Sequence, residues 1–128
     1  MNEITKLIAE AKTYFLATEN NGTPNVRPMG SMIDIDDKLY FILAKNMNLF
    51  SELQNNSKVA ISAYDGKTVL RLQATAVLDD SADTIASVYK AVPAFEKMFN
   101  ESVIAPFYLS DATCSIGEMG KEPTRCTF

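Results

Sequence analysis

Apolar and polar positions alternate with two different periods along this chain, and the changes of period mark its elements. Ile4, Leu7, Ile8 and Ala11 fall at helical spacing, which predicts a short amphipathic helix over 3–12. "TYFLATE" (13–19) reads as a strand, and "NNG" (20–22) as a hairpin turn. After an "IDD" turn, "KLYFILA" (38–44) is a mostly apolar strand. "KNMNLFSELQNN" (45–56) spaces Leu49, Phe50 and Leu53 as a helix does. "KVAISAY" (58–64) is a further strand, ended by an Asp65-Gly66 turn. In "TVLRLQATAVLDD" (68–80), Leu70, Leu72, Ala74, Ala76 and Leu78 share one face, which predicts a strand with that face on a core. Its other face, with Arg71, Gln73 and Thr75, is left wet or in an interface. "SADTIASVYKAV" (81–92) is a helix with Ser81 as N-cap, Asp83 in the first turn and Pro93 past its end. "PAFEKMF" (93–99) adds a helical turn or two. "APFYLSDATCSIGEM" and "TRCTF" supply one or two closing strands.

One stretch resists this scheme. "TPNVRPMGSMI" (23–33) has strand residues in Val26, Met29, Met32 and Ile33. Yet Pro24 and Pro28 each lack a backbone donor, Gly30 lacks a side chain, and Arg27 adds a fixed charge. Read from its residues alone, the segment is an edge strand with a proline-induced bulge and a solvated Arg27, or a place where pairing stops so that a ligand can approach.

Strands joined by hairpins, two or three short helices and no βαβ rhythm predict a mainly β chain, with about six antiparallel strands in a small closed or nearly closed barrel. The 128 residues, 47% hydrophobic and 22% charged, suit one globular domain over 1–128 with a real core. No apolar run reaches membrane-spanning length, and the first residues lack a signal-peptide layout, so a cytoplasmic setting is expected. A net charge of −4 with no basic cluster argues against nucleic acid as a partner. The chain has no histidine, which removes Ser-His and Cys-His catalysis, His-ligated zinc and His-ligated haem. Redox or group-transfer chemistry therefore falls to an organic cofactor. Cys114 and Cys126 read as reduced thiols, the alternative being one bridge between neighbouring C-terminal strands.

The order "YFLAT–NNGTPNVRPMG", "DDKLYFILA", a helix ending "QNNSKVAIS" and "VLRLQATAVLDD" resembles the pyridoxamine 5'-phosphate oxidase-like flavin-binding family, general stress protein branch. The resemblance covers about Ala11 to Phe128. It implies an antiparallel split β-barrel and a homodimer with FMN in two clefts between subunits. It also offers a reason for the spoiled strand: Pro28 and Gly30 keep the backbone open for a flat ring, and Arg27 supplies a cation beside it. The implied cofactor residues are Arg27, Pro28, Met29 and Gly30, then Leu43, Lys45, Asn46 and Asn48 around the start of the second helix. There the chain departs from the family. Leu43 stands where Thr or Ser is usual, and Met47, Asn48 and Leu49 where Lys or Arg is usual, so weaker phosphate binding follows. A solvated Lys45 is the competing reading.

Arg71 is placed to pair across a dimer interface, and Arg125 and Lys121 to reach a cleft shared between subunits; ordinary solvation is the alternative for each. Met29 and Met32 are packing residues or ring contacts. The namesake reaction needs a second phosphate pocket with His, which this sequence lacks, so pyridoxamine phosphate oxidation is not assigned. The leading expectation is an FMN-dependent oxidoreductase acting on a small substrate that the sequence does not identify. Its rivals are a non-catalytic flavin carrier or stress protein, and a split-barrel dimer that has lost FMN for another ligand.

Overall fold

The computed structural model describes residues 2–30 and 32–128. Met1 and Ser31 lie outside it, so the predicted 23–33 segment is seen without its Ser31. The elements run α1 (Asn2–Ala11), β1 (Tyr14–Asn20), β2 (Thr23–Met29), β3 (Met32–Ile35), β4 (Lys38–Ala44), α2 (Asn48–Asn55), β5 (Lys58–Tyr64), β6 (Thr68–Leu78), α3 (Ala82–Ala91), α4 (Ala94–Met98), β7 (Ile104–Glu118) and β8 (Thr124–Thr127). The period changes therefore mark real elements. The count exceeds the expected six strands because 23–33 splits into β2 and β3 and the C-terminal segments form β7 and β8.

All strands belong to one antiparallel sheet in the order β2-β1-β5-β6-β7-β4-β3, with β8 paired to β7. Its two end strands, β2 and β3, are consecutive in the chain. Met29 and Met32 are three residues apart and so lie within roughly 11 Å of each other. The sheet must curl until its ends meet at that corner, which gives the nearly closed barrel that the strand pattern predicts and the split barrel that the resemblance implies. Helix α2 packs on β1 and β4. The main core fills the barrel with Leu16, Phe41, Leu43, Leu70, Leu72 and Phe107. A smaller cluster seats α3 and α4 against Tyr40, Ile42 and Ile104.

Two local devices shape the β6–β8 wall. The β6–β7 register shifts between Gln73 and Thr75, beside Asp111, whose φ is +51°. This bulge bends the long β7, which pairs with β4 before it and with β8 after it. Beyond β7, Pro123 crosses Gly117 so closely that a Cβ there would lie 3.0 Å from the Pro123 Cα. Glycine thus lets the chain fold back as β8. The cysteines are joined: Cys114 and Cys126 form a disulfide between facing positions of β7 and β8, 5.0 Å apart at Cα. This corrects the expectation of free thiols. Nothing local signals it, because β8 is brought beside β7 only by the turn at 119–123.

The alternation in β6 holds for Leu70, Leu72, Ala74 and Ala76, all buried, while Leu78 emerges into solvent. Past it, Asp79 collects three donors: the Thr84 hydroxyl at 2.7 Å, the Tyr40 hydroxyl at 3.2 Å and the Ser81 backbone N–H at 3.4 Å. Ser81 caps α3 as predicted, accepting from the Thr84 backbone N–H. The hydrogen bond from Thr84 does most to hold the Asp79 carboxyl below its usual range, and the other donors assist. A carboxyl depressed in the folded state stabilises above its unfolded pKa of about 3.9 and loses that contribution as pH falls. Asp79→Asn should therefore lower urea-measured stability by about 1–2 kcal/mol at pH 7. The gap between the two proteins should close as pH falls below about 3.9.

Candidate functional site

Strand β2 is an edge strand, and its proline pattern follows from that position. Pro24, Val26 and Pro28 share one parity, so their backbone nitrogens face away from β1 and no ladder bond is lost. Pairing is regular from Tyr14↔Met29 to Asn20↔Thr23, with no bulge. Prolines on the open edge also prevent a further strand from adding there. Pairing stops just after Pro28, at Met29. Gly30, which follows, is exposed, and a Cβ built on it meets nothing within 4 Å.

The predicted site residues divide between the two faces of β2. Arg27 lies opposite Leu16, which is fully buried, so it points inward. Met29 shares that parity and packs on the core. Pro28 lies opposite Phe15, which is half-exposed, and faces outward. Arg27 is not solvated. Its Nη2 lies 2.9 Å from Oε1 of Glu52 in α2 and 3.1 Å from the Thr18 hydroxyl, and its Nη1 reaches the Leu16 carbonyl at 3.5 Å. Thr18 in turn donates to the same Glu52 oxygen at 2.7 Å. Both charged side chains are largely enclosed, at 23% and 18% exposure.

The helix start shows the same neutralisation. Lys45 Nζ lies 3.1 Å from Asp80 Oδ2. Leu43 is 0% exposed and belongs to the core, so its side chain has no surface to offer a ligand. Asn46 and Asn48 are exposed. Helix α2 has Met47 at its N-cap, which offers no side-chain cap, and no acidic residue in its first turn. Leu49 is buried, so only Asn48 among the departures at 48–49 faces solvent. Met32, like Met29, packs against the core.

The structure thus brings 27–30 and α2 together through one ion pair, and it does so with the cations already matched. For FMN the fit is divided. The open backbone at Pro28–Gly30 suits a flat ring. A phosphate near α2 meets two neutral pairs, Arg27–Glu52 and Lys45–Asp80, and only amide side chains and uncapped backbone N–H groups beyond them. Sequence reasoning missed Glu52, Thr18 and Asp80. The available signal was Glu52, an acid between the core residues Leu49 and Leu53.

A second surface lies on the outer face of the sheet. There a concavity of about 480 Å3 is lined by Phe15, Ala17, Val26, Ser62, Arg71, Gln73, Thr113, Ser115 and Arg125, among others. A neighbouring one, of about 560 Å3, shares Ala17, Ala60, Gln73 and Thr113 with it and adds Glu19, Lys58 and Asp111.

Residues 1–106 match the family profile described as pyridoxamine 5'-phosphate oxidase. No protein of curated function matches the sequence. Among solved structures, a NimC/NimA family protein from Clostridium acetobutylicum superposes with a TM-score of 0.92 at 24% identity, covering 100% of this chain and 92% of that one. General stress protein 26 from Bacillus anthracis gives 0.71 at 17% identity, covering 98% and 97%. A pyridoxamine 5'-phosphate oxidase-related, FMN binding protein from Nostoc punctiforme gives 0.65 at 13%, covering 99% and 95%. At these identities the superpositions establish the fold.

The Arg27–Glu52 pair should be structural. Glu52→Ala leaves a largely enclosed guanidinium without its carboxylate and should cost about 1–3 kcal/mol in urea unfolding. Replacing both partners with leucine should recover most of that loss, because no unpaired charge remains.

Proposed function

Because this chain belongs to the pyridoxamine 5'-phosphate oxidase family, we propose that it is an FMN-binding split-barrel protein acting as a cytoplasmic homodimer. The observation that carries this reading is the Arg27–Glu52 contact, which holds β2, just before the open Pro28–Gly30 backbone, against α2 one turn from its start. Pro28–Gly30 would hold the ring, and Asn46, Asn48 and Lys45 at the α2 start would hold the phosphate. Bound there, FMN would supply one- and two-electron transfer. The chain's own residues bind and orient. Gly30 leaves room for the ring, and Asn48 donates from its amide. Lys45, paired with Asp80, would share its charge with the phosphate. Arg27 acts at one remove, holding β2 against α2. The namesake oxidation is not assigned, since the sequence contains no histidine. A reductase or oxidase of another small substrate is the activity we infer.

The dimer we propose uses the outward face of β6 over 69–77 together with β2. Phe15 and Val26 are 49% and 68% exposed there. Such apolar groups gain most from a two-fold partner. The two neutralised cations favour one further reading, a split-barrel dimer that has given up FMN for another ligand.

Titration with FMN, read by flavin fluorescence, separates these readings. We expect micromolar or weaker affinity, because each missing charge-assisted contact costs about ten-fold or more. Asn48→Lys should tighten binding by about ten-fold. Leu49→Lys should instead unfold the helix, since that position is buried. Gly30→Val should abolish binding while the flavin-free melting temperature stays within about 2 °C. Nanomolar affinity in the unaltered chain contradicts the phosphate argument, and no binding at all selects the second reading. Sedimentation at micromolar concentration should show a dimer, and a strict monomer removes the shared cleft.

A further inference from the structure

Little besides the Cys114–Cys126 bond holds strand β8 on the barrel. The strand has four residues and, among the described residues, pairs with β7 alone. Thr124, Arg125 and Thr127 are exposed, so their side chains add little packing. Its inward contacts come from Cys126 and from Phe128 just beyond it, both partly buried against the main core. The Ala112 N–H donates to the Phe128 carbonyl at 2.8 Å, and the Phe128 N–H donates to the Ala112 carbonyl at 3.1 Å. The turn that returns β8 to β7 is lightly held. Met119 is exposed there, and Lys121 reaches Glu118 in a surface ion pair, which contributes little. A two-stranded ribbon of this length is marginal by itself. The disulfide spans a sequence separation of 12, and a link of that span shifts a docking equilibrium by about 100-fold. The two sulfurs also differ in access. Cys114 is 6% exposed, whereas Cys126 is half-buried on an edge strand.

We propose that the Cys114–Cys126 bond is a reversible redox latch: closed, it docks β8 on the barrel, and reduced, it releases the segment 119–128. In a cytoplasm most cysteines are kept reduced, and the disulfides that do form there are for the most part transient, catalytic or redox-sensing. The setting of the latch rests on the cytoplasmic reading above, whereas its chemistry does not. A glutathione thiolate attacks Sγ of Cys126, the more accessible sulfur, and expels Cys114 as a thiolate. A second glutathione then displaces Cys126 from the mixed disulfide. Two glutathione thiols become one glutathione disulfide, and their two electrons and two protons end on the two cysteines as thiols. Glutathione disulfide runs the same exchange backwards. With β8 released, the β7 edge over 112–116 loses its strand partner and Phe128 leaves the core. An unpaired edge of that kind is a template for another strand, so the reduced protein presents a pairing surface that the oxidised protein covers.

The test uses the full chain, equilibrated in glutathione buffers stepped from fully oxidised to the strongly reducing ratio of a cytoplasm. Thiols are counted by acid quench and maleimide mass tagging, and amide hydrogen exchange is followed by NMR. Both thiols should appear together within that range and disappear on re-oxidation. Reduction should speed exchange of the Ala112 and Phe128 amides by about ten-fold or more, while the Leu16 and Leu72 amides keep their rates. Cys126→Ser, which leaves the buried Cys114 in place, should show the fast rates in every buffer. If that variant fails to fold, the reduced unaltered chain supplies the same comparison. A bond that stays closed at the cytoplasmic ratio overturns the latch. So do Ala112 and Phe128 rates that ignore reduction, and so does a parallel rise at Leu16 and Leu72, which means loss of the whole fold. The measurement is made on purified protein, so it succeeds or fails independently of the cytoplasmic reading.

Discussion

Strand register is the constraint on which the rest of this protein depends. The pairings of six strands align Arg27, Leu16, Ile61, Leu72, Cys114 and Cys126 in one inward row. The adjacent row, Pro28, Phe15, Ser62, Arg71, Ser115 and Arg125, faces outward. The inward row begins with an ion pair and ends with a disulfide, and apolar side chains fill the space between. The outward row begins at the open edge and ends at two unopposed cations. A slip of one residue in any of these strands would exchange the two rows locally; in β6 it would bury Arg71 and expose Leu72. Packing and binding surface are therefore fixed by the same choice.

Barrel closure adds the second constraint. Because β2 and β3 follow one another in the chain, the sheet's ends meet at a corner just past Met29. Prolines on the open edge and a glycine at the corner satisfy this locally. Arg27 then reaches from β2 to α2 and locks the corner from inside. The cost falls on anion binding at α2, where the cations nearest the corner are already neutralised by Glu52 and Asp80. Charge has in effect been kept for structure at the corner and left free on the opposite end of the outer wall.

What the sequence reveals here is mostly local. Hairpin turns, the alternation of β6, the cap at Ser81 and the order of motifs are each contained within a few residues, and they suffice for the fold. What stays hidden depends on contacts between distant residues. Arg27 and Glu52 are 25 positions apart, and their pairing needs α2 to be laid across β1. Cys114 and Cys126 need the β7–β8 turn. The division of 27–30 between faces depends on parity relative to β1, which no pattern in an edge strand with two prolines discloses. Leu43 is the opposite case: the family position came with the resemblance, while the residue's own apolar side chain, fully buried in the structure, spoke for the core.

The double use of β2 changes how its variants must be interpreted. Arg27 points into the barrel and braces α2, so removing it weakens the corner whether or not any ligand touches it. Lost binding in Arg27→Ala would be the same for a contact residue and for a brace. Outward positions are free of this ambiguity. Pro28 and Gly30 present themselves to solvent, and Arg71 and Arg125 stand clear of the core. Ligand contact on this barrel is therefore separable from stability only on the outward row. There a side chain can change without disturbing the packed row one residue away.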